Sequence, residues 1–166
     1  IERWRSGLVR RNLKATAVLL ELVGKLQERG LQVMAYKGPV LGELAYGSLG
    51  KRRFVDLDLL LPRDQIAPAV SVLEAMGYVP RYTPSLAGFL KYHWEYPMVP
   101  SHPSGLHIEL QWRWSSLRSS RKVGEDWIWA RPIEVVLGST RILSPNIENY
   151  LLLLCQHGAG HRWRKL

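Results

Sequence analysis

Asp56 and Asp58 stand one residue apart in the stretch Lys51–Pro62, KRRFVDLDLLLP. In an extended strand alternate side chains share a face, so these two carboxylates point one way while Val55, Leu57, Leu59 and Leu61 point the other. Carboxylates held side by side repel, and they require either a cation between them or a retained proton. A hard divalent ion such as Mg²⁺ suits that place, because it takes oxygen ligands from one or two carboxylates and from substrate phosphates. The plain alternative is a strand whose solvent face happens to carry two aspartates. A third carboxylate, Glu109, falls in Leu106–Trp114. There Ile108, Leu110, Trp112 and Trp114 share one face, and His107, Glu109, Gln111 and Arg113 the other. If the two strands are neighbours, Glu109 meets Asp56 and Asp58 across the sheet.

A second candidate site is the turn Lys37–Gly38–Pro39, which follows the short apolar strand Leu31–Tyr36 and opens a helix over Pro39–Tyr46. Glycine permits close backbone approach, a helix N-terminus offers N–H groups, and lysine adds positive charge, so the turn resembles a phosphate-binding one. Proline fits the first helical position. Many strand-to-helix turns carry glycine for geometry alone, and Lys37 is equally readable as a surface lysine. Arg52 and Arg53, just ahead of the aspartates, are candidates to neutralise phosphate charge. Strict alternation puts Arg52 on the aspartates' side and Arg53 opposite, and both remain open.

The elements that must position these groups follow from apolar spacing. Ala15, Val18, Leu19, Leu22 and Leu26 predict a helix over Leu8–Arg29, stopped at Gly30. The basic cluster Arg3, Arg5, Arg10, Arg11 and Lys14 at its start reads as a solvated face, or else as part of an anion-binding surface. Tyr46–Gly50 is a loop, Asp64–Met76 a helix, and Tyr78–Thr83 a strand. Pro84–Gly105 is rich in proline and glycine without a clean apolar period, with Tyr92–Val99 as an edge strand and Pro100–Gly105 as a turn. Ser115–Glu125 reads as a mobile loop, Asp126–Ala130 as a helical turn, and Pro132–Leu143 as a hairpin turning at Gly138–Ser139. Ser144 as N-cap and Pro145 start the last helix. His157 and His161 are four apart on it, a zinc-compatible spacing, but without surrounding Glu or Cys they fit packing or hydrogen bonding better. Trp112, Trp114, Trp127 and Trp129 read as core and rim rather than base-stacking platforms.

Composition sets the outer bounds. The 166 residues, 46% hydrophobic and 22% charged, suit one globular domain with its own core. A net charge of +9 points to an anionic partner such as a nucleotide, nucleic acid or membrane surface. The single cysteine, Cys155, allows no internal disulfide and suits a cytoplasmic protein. Apolar runs fall well short of the roughly 18 residues a membrane helix needs. No signal peptide is visible. The chain starts at Ile1 rather than Met, which leaves room for a trimmed N-terminus and a targeting segment, and it stops just after a helical pattern, so further residues are expected on the C-terminal side.

The order of these segments resembles the nucleotidyltransferase superfamily that shares the DNA polymerase β palm. Within it, YKGPVLGELAYG, RRFVDLDLLLP, HIELQW and LLLLCQHGAGHRW are similar to the uncharacterised nucleotidyltransferase family with the pattern L-K-G…Y-G…R…D-I-D-L-L-V. The superfamily's usual Gly-Ser after the first strand is Lys37–Gly38 here, as in the closer family. The resemblance spans Leu8–Leu166. It implies an α+β fold, a mixed β-sheet nucleotidyltransferase core over residues 1–143 flanked by helices, and the start of a C-terminal helical region at 144–166. It implies an enzyme that moves a nucleoside monophosphate from an NTP to a hydroxyl acceptor and releases pyrophosphate. In that scheme Asp56, Asp58 and Glu109 are the catalytic, metal-binding residues for Mg²⁺ or Mn²⁺, and Glu109 also helps deprotonate the acceptor. Lys37, Gly38 and Arg52 or Arg53 bind the nucleotide. The acceptor stays undefined among a small molecule, an RNA end and a protein side chain, and no membrane is implied. Two other readings exist: a catalytically inactive nucleotide- or RNA-binding module, and a nucleotide-sugar glycosyltransferase, which would leave Glu109 without a role.

Overall fold

A computed structural model of the chain describes residues 2–82, 85–102, 105–113 and 126–160. The long helix α1 (Glu2–Glu28) leads into β1 (Met34–Tyr36), α2 (Gly38–Tyr46) and β2 (Asp56–Leu60). After a 3₁₀ turn at Arg63–Gln65 come α3 (Ile66–Ala75), β3 (Tyr78–Pro80), α4 (Leu86–Tyr92), β4 (Glu95–Pro100) and β5 (His107–Gln111). The chain closes with α5 (Asp126–Trp129), the hairpin β6 (Ile133–Leu137) and β7 (Thr140–Ser144), and α6 (Ile147–Gly160). The α+β expectation holds.

Five strands form one mixed sheet in the order β1-β2-β5-β4-β3, with β6 and β7 as a separate two-stranded sheet. The pair β2–β5 is parallel, and the other pairs are antiparallel. Leu57, Leu59, Ile108 and Leu110 are buried with Leu19, Leu22 and Leu26 of α1 and Ile66 and Leu73 of α3 in one apolar core. That core fixes which face of β2 and β5 is left for the polar side chains, because a one-residue slip would exchange the two faces. Trp112 is buried and Trp127 and Trp129 pack on the core, as expected of core and rim. Among the described residues no helix is long and apolar enough to cross a membrane.

Three expectations need correction. The segment Pro84–Gly105 contains the helix α4, capped by Ser85, whose hydroxyl accepts from the Gly88 N–H at 3.3 Å. Strand β4 is interior, between β5 and β3. Pro97 is tolerated there because its carbonyl accepts from the Arg81 N–H at 3.0 Å. A residue's N–H and C=O point to the same side of a strand, so the N–H that proline lacks would have faced β3, which ends at Pro80. Finally, Asn146 caps α6 in place of Ser144, its Oδ1 accepting from the Asn149 N–H at 2.9 Å. Trp114, His161 and the loop Ser115–Glu125 lie outside the described residues.

Candidate active site

The register of β2 against β5 decides whether the acids meet. Asp56 pairs with His107, and Asp58 pairs with Glu109. Neighbouring strands lie about 4.8 Å apart and paired residues share a face, so Asp58 and Glu109 are side by side. On the far side of Asp58 its partner on β1 is Tyr36. On the far side of β5, Glu95 of β4 pairs with Gln111 and brings a fourth carboxylate to this face. Glu95 was not singled out in the sequence, because its strand read as an edge.

Burial and mutual repulsion set the electrostatics. Asp58 is only 2% exposed. Burial, and then the charge of Asp58, raise the pKa of Asp56. Burial also raises Glu95. Glu109 is pushed up from 4.5 to about 8, first by burial and then by Asp58 and Glu95. Four acids on one face thus carry more negative charge than their surroundings neutralise.

Lys37 supplies part of the compensation. Its Nζ donates to Asp58 Oδ1 at 2.7 Å, and the lysine is 7% exposed. The sequence left Lys37 open between a phosphate contact and a surface lysine; in the structure it is buried and paired with the carboxylate. Lys37 holds a positive φ of 54°, a conformation that costs a non-glycine residue about 1–3 kcal/mol. Two buried contacts keep it there: the ion pair, and its backbone N–H donating to the Tyr150 hydroxyl at 2.6 Å. Gly38 follows with φ 44°, and an added Cβ would lie 3.5 Å from Leu57 and 3.6 Å from the Asp56 carbonyl. The backbone conformation, more than the space, therefore calls for glycine here.

The two arginines part company. Arg53 is exposed, whereas Arg52 is half-buried with a buried Nη1 that has no hydrogen-bond partner. Burial raises both Asp56 and Tyr150, and the charge of Arg52 is a smaller influence that opposes each rise. Asn12, fully buried in α1, explains the placement: its Nδ2 donates to the carbonyls of Leu49 at 2.5 Å and Arg52 at 2.8 Å. An asparagine in an otherwise apolar helical stripe was the signal for that anchor. Arg10, Arg11 and Lys14 lie elsewhere, along a cleft of about 700 Å³ between α1 and Val55, Tyr78 and Leu106. His107 is exposed beside Asp56, and His157 is half-buried on α6.

Among the described residues no three acidic, histidine or cysteine side chains are already drawn together as a ligand shell. The donor set nevertheless fits a hard divalent cation. Every candidate ligand is a carboxylate oxygen, Asp58 Oδ2 is buried with no hydrogen-bond partner, and the raised Asp56 and Glu109 mark a deficit of positive charge.

Comparison with known proteins agrees with this architecture. The fold is similar to that of a putative nucleotidyltransferase (TM1012) from Thermotoga maritima, with a TM-score of 0.62 at 10% identity over 90% of this chain and 88% of that one. It is similar to ANT(2")-Ia in complex with adenylyl-2"-tobramycin, with a TM-score of 0.54 at 12% identity over 89% and 92% of the two chains. It is also similar to the lincomycin-bound lincosamide antibiotic adenylyltransferase LnuA, with a TM-score of 0.50 at 14% identity over 81% and 82%. No curated protein sequence matches the chain. The family described as "Uncharacterised nucleotidyltransferase" matches residues 3–166. A match of that extent, on a sheet of this topology, makes the chain a member of the uncharacterised nucleotidyltransferase family and an enzyme of the nucleotidyltransferase class.

Proposed function

We propose that this enzyme transfers a nucleoside monophosphate from an NTP to a hydroxyl group of a small molecule, at a divalent-cation site made by Asp56, Asp58 and Glu109. The observation that carries the reading is the pairing of Asp58 with Glu109, which places the third acid beside the D-x-D pair on a buried strand. Mg²⁺ is the ion that best suits an all-oxygen donor set sharing ligands with phosphate, and Mn²⁺ could replace it. When bound, the ion would withdraw charge from the triphosphate and favour departure of pyrophosphate.

The chain's own groups have separate tasks. Asp56 and Asp58 would hold the cation. Glu109 would share it and take up the acceptor's proton. The acceptor oxygen forms its bond to the α-phosphorus as the bond from that phosphorus to the bridging oxygen breaks, and the electron pair leaves with pyrophosphate. Arg52, whose buried guanidinium nitrogen has no partner, is placed to offset the charge growing on that leaving group. Lys37 and the N–H groups around Gly38 would receive the β- and γ-phosphates, which requires the ammonium to exchange Asp58 Oδ1 for a phosphate oxygen. Arg53, exposed and apart, drops out of this scheme.

The small-molecule acceptor is an argument by analogy from the fold, since ANT(2")-Ia and LnuA were solved with an adenylylated tobramycin and with lincomycin. A direct test is incubation with Mg²⁺, NTPs labelled at the α- or γ-phosphate, and either a small-molecule extract or cellular RNA. Transfer of the α-label alone, lost in Asp58→Asn, supports the reading. RNA binding that salt weakens and Asp58→Asn leaves unchanged, with no label transferred, would make the protein a binding module instead.

A further inference from the structure

Gln111 sits among the acids with every polar atom engaged. Its Nε2 carries two hydrogens. One donates to Asp58 Oδ1 at 3.0 Å and the other to Glu109 Oε2 at 3.1 Å. Its Oε1 accepts from the Tyr36 hydroxyl. The two carboxylates set which end of the amide faces them, since a flipped amide would turn its oxygen toward both, and the Tyr36 hydroxyl, donating to Oε1, then holds it in that orientation. Gln111 and Tyr36 are each 5% exposed, so water is a poor substitute for either. Tyr150 packs edge-on against Tyr36 with ring centroids 6.3 Å apart, which restrains the ring that holds the amide.

The consequence is an asymmetry within Asp58. Its Oδ1 accepts from both Lys37 and Gln111, while Oδ2, on the same buried carboxylate, has no partner. We propose that Gln111, oriented by Tyr36, is a positioning residue that ties Asp58 Oδ1 to Glu109 Oε2, so that each acid turns its other oxygen to the cation. This rests on the cation site proposed above. Without the amide, no other side chain among the described residues bridges Asp58 and Glu109. The half-buried Glu109 is then free to turn away from Asp58, and the donor set loses its spacing before any ion arrives. Partners of metal ligands that act in this way typically change metal affinity about 10–100-fold when removed.

Mn²⁺ alone is the probe, followed by electron paramagnetic resonance of the free ion, with melting in EDTA measured in parallel. Gln111→Leu is expected to weaken Mn²⁺ binding about 10–100-fold, and Tyr36→Phe to weaken it less, in the same direction. A role confined to packing would lower the melting temperature in EDTA and leave Mn²⁺ affinity unchanged, and that result overturns the proposal. If Gln111→Leu does not fold, Tyr36→Phe decides: wild-type affinity there overturns it equally. Wild-type protein that binds no Mn²⁺ would reject the cation site itself, and this inference with it, an outcome distinct from equal binding by wild type and variant.

Discussion

Glu109→Gln removes a charge while keeping the shape of the side chain and an oxygen to accept from Gln111. The structure fixes the sign of the effect. Burial, and then Asp58 and Glu95, raise Glu109 from 4.5 to about 8. A carboxylate raised on folding favours the folded state while it keeps its proton. Its contribution is therefore whole below the unfolded value and lost as pH climbs through the folded one. The full interval corresponds to at most about 5 kcal/mol. Asp58, Glu95 and Asp56 relax when the charge goes, and solvent screens the open side of the site, so roughly 1–2 kcal/mol is the expected gain. In a chain of this size 1 kcal/mol moves Tm by about 2–4 °C. In EDTA at pH 9, Glu109→Gln should therefore melt roughly 2–8 °C above wild type, and the gap should close as pH falls toward 4.5. Added Mg²⁺ should reverse the order at high pH, because wild type has the extra charge for the ion to neutralise. Differential scanning fluorimetry across pH, with and without the ion, measures this. A variant no more stable than wild type at pH 9 in EDTA, or a gap independent of pH, would refute the reasoning.

Asp58→Ala leaves the Lys37 ammonium buried without its partner, and breaking such a pair from one side costs about 3–5 kcal/mol. The double variant Asp58→Ala, Lys37→Met should recover much of that stability in a urea titration while remaining inactive. Arg52→Ala should lower turnover by about 10²-fold or more, as loss of one preorganised charge-stabilising group does, whereas Arg53→Ala should stay within about twofold. Steady-state kinetics on the two variants checks this, and equal losses would show that the difference in burial does not matter.

The parts of the site that were legible in the sequence are those encoded by a period of two. D-L-D and H-I-E-L-Q alternate, so the acids and the leucines sort onto opposite faces without knowledge of the fold. Register is not local information, and that Glu109 falls opposite Asp58 rather than two residues away follows only from the packed sheet. Glu95 was hidden by Pro97, whose missing N–H looked like an edge-strand signal but faces the end of a short neighbour. Tyr36 and Tyr150 were not singled out in the sequence, yet each buried hydroxyl has a site group as its partner, Gln111 and the Lys37 N–H. A tyrosine directly before the Lys-Gly turn was a usable hint, since a buried phenol seeks a partner. The difference in burial between Arg52 and Arg53 goes with Asn12, forty residues earlier, whose bond to the Arg52 carbonyl alternation along a loop could not reveal.

Crystals soaked with Mn²⁺ and a non-hydrolysable NTP offer the most direct measurement, read as anomalous scattering from the metal. A peak coordinated by oxygens of Asp56 and Asp58, shared by Glu109 and touching the triphosphate, is what this account predicts. Nucleotide bound with its metal away from these side chains, or no metal at an otherwise occupied nucleotide site, would contradict it.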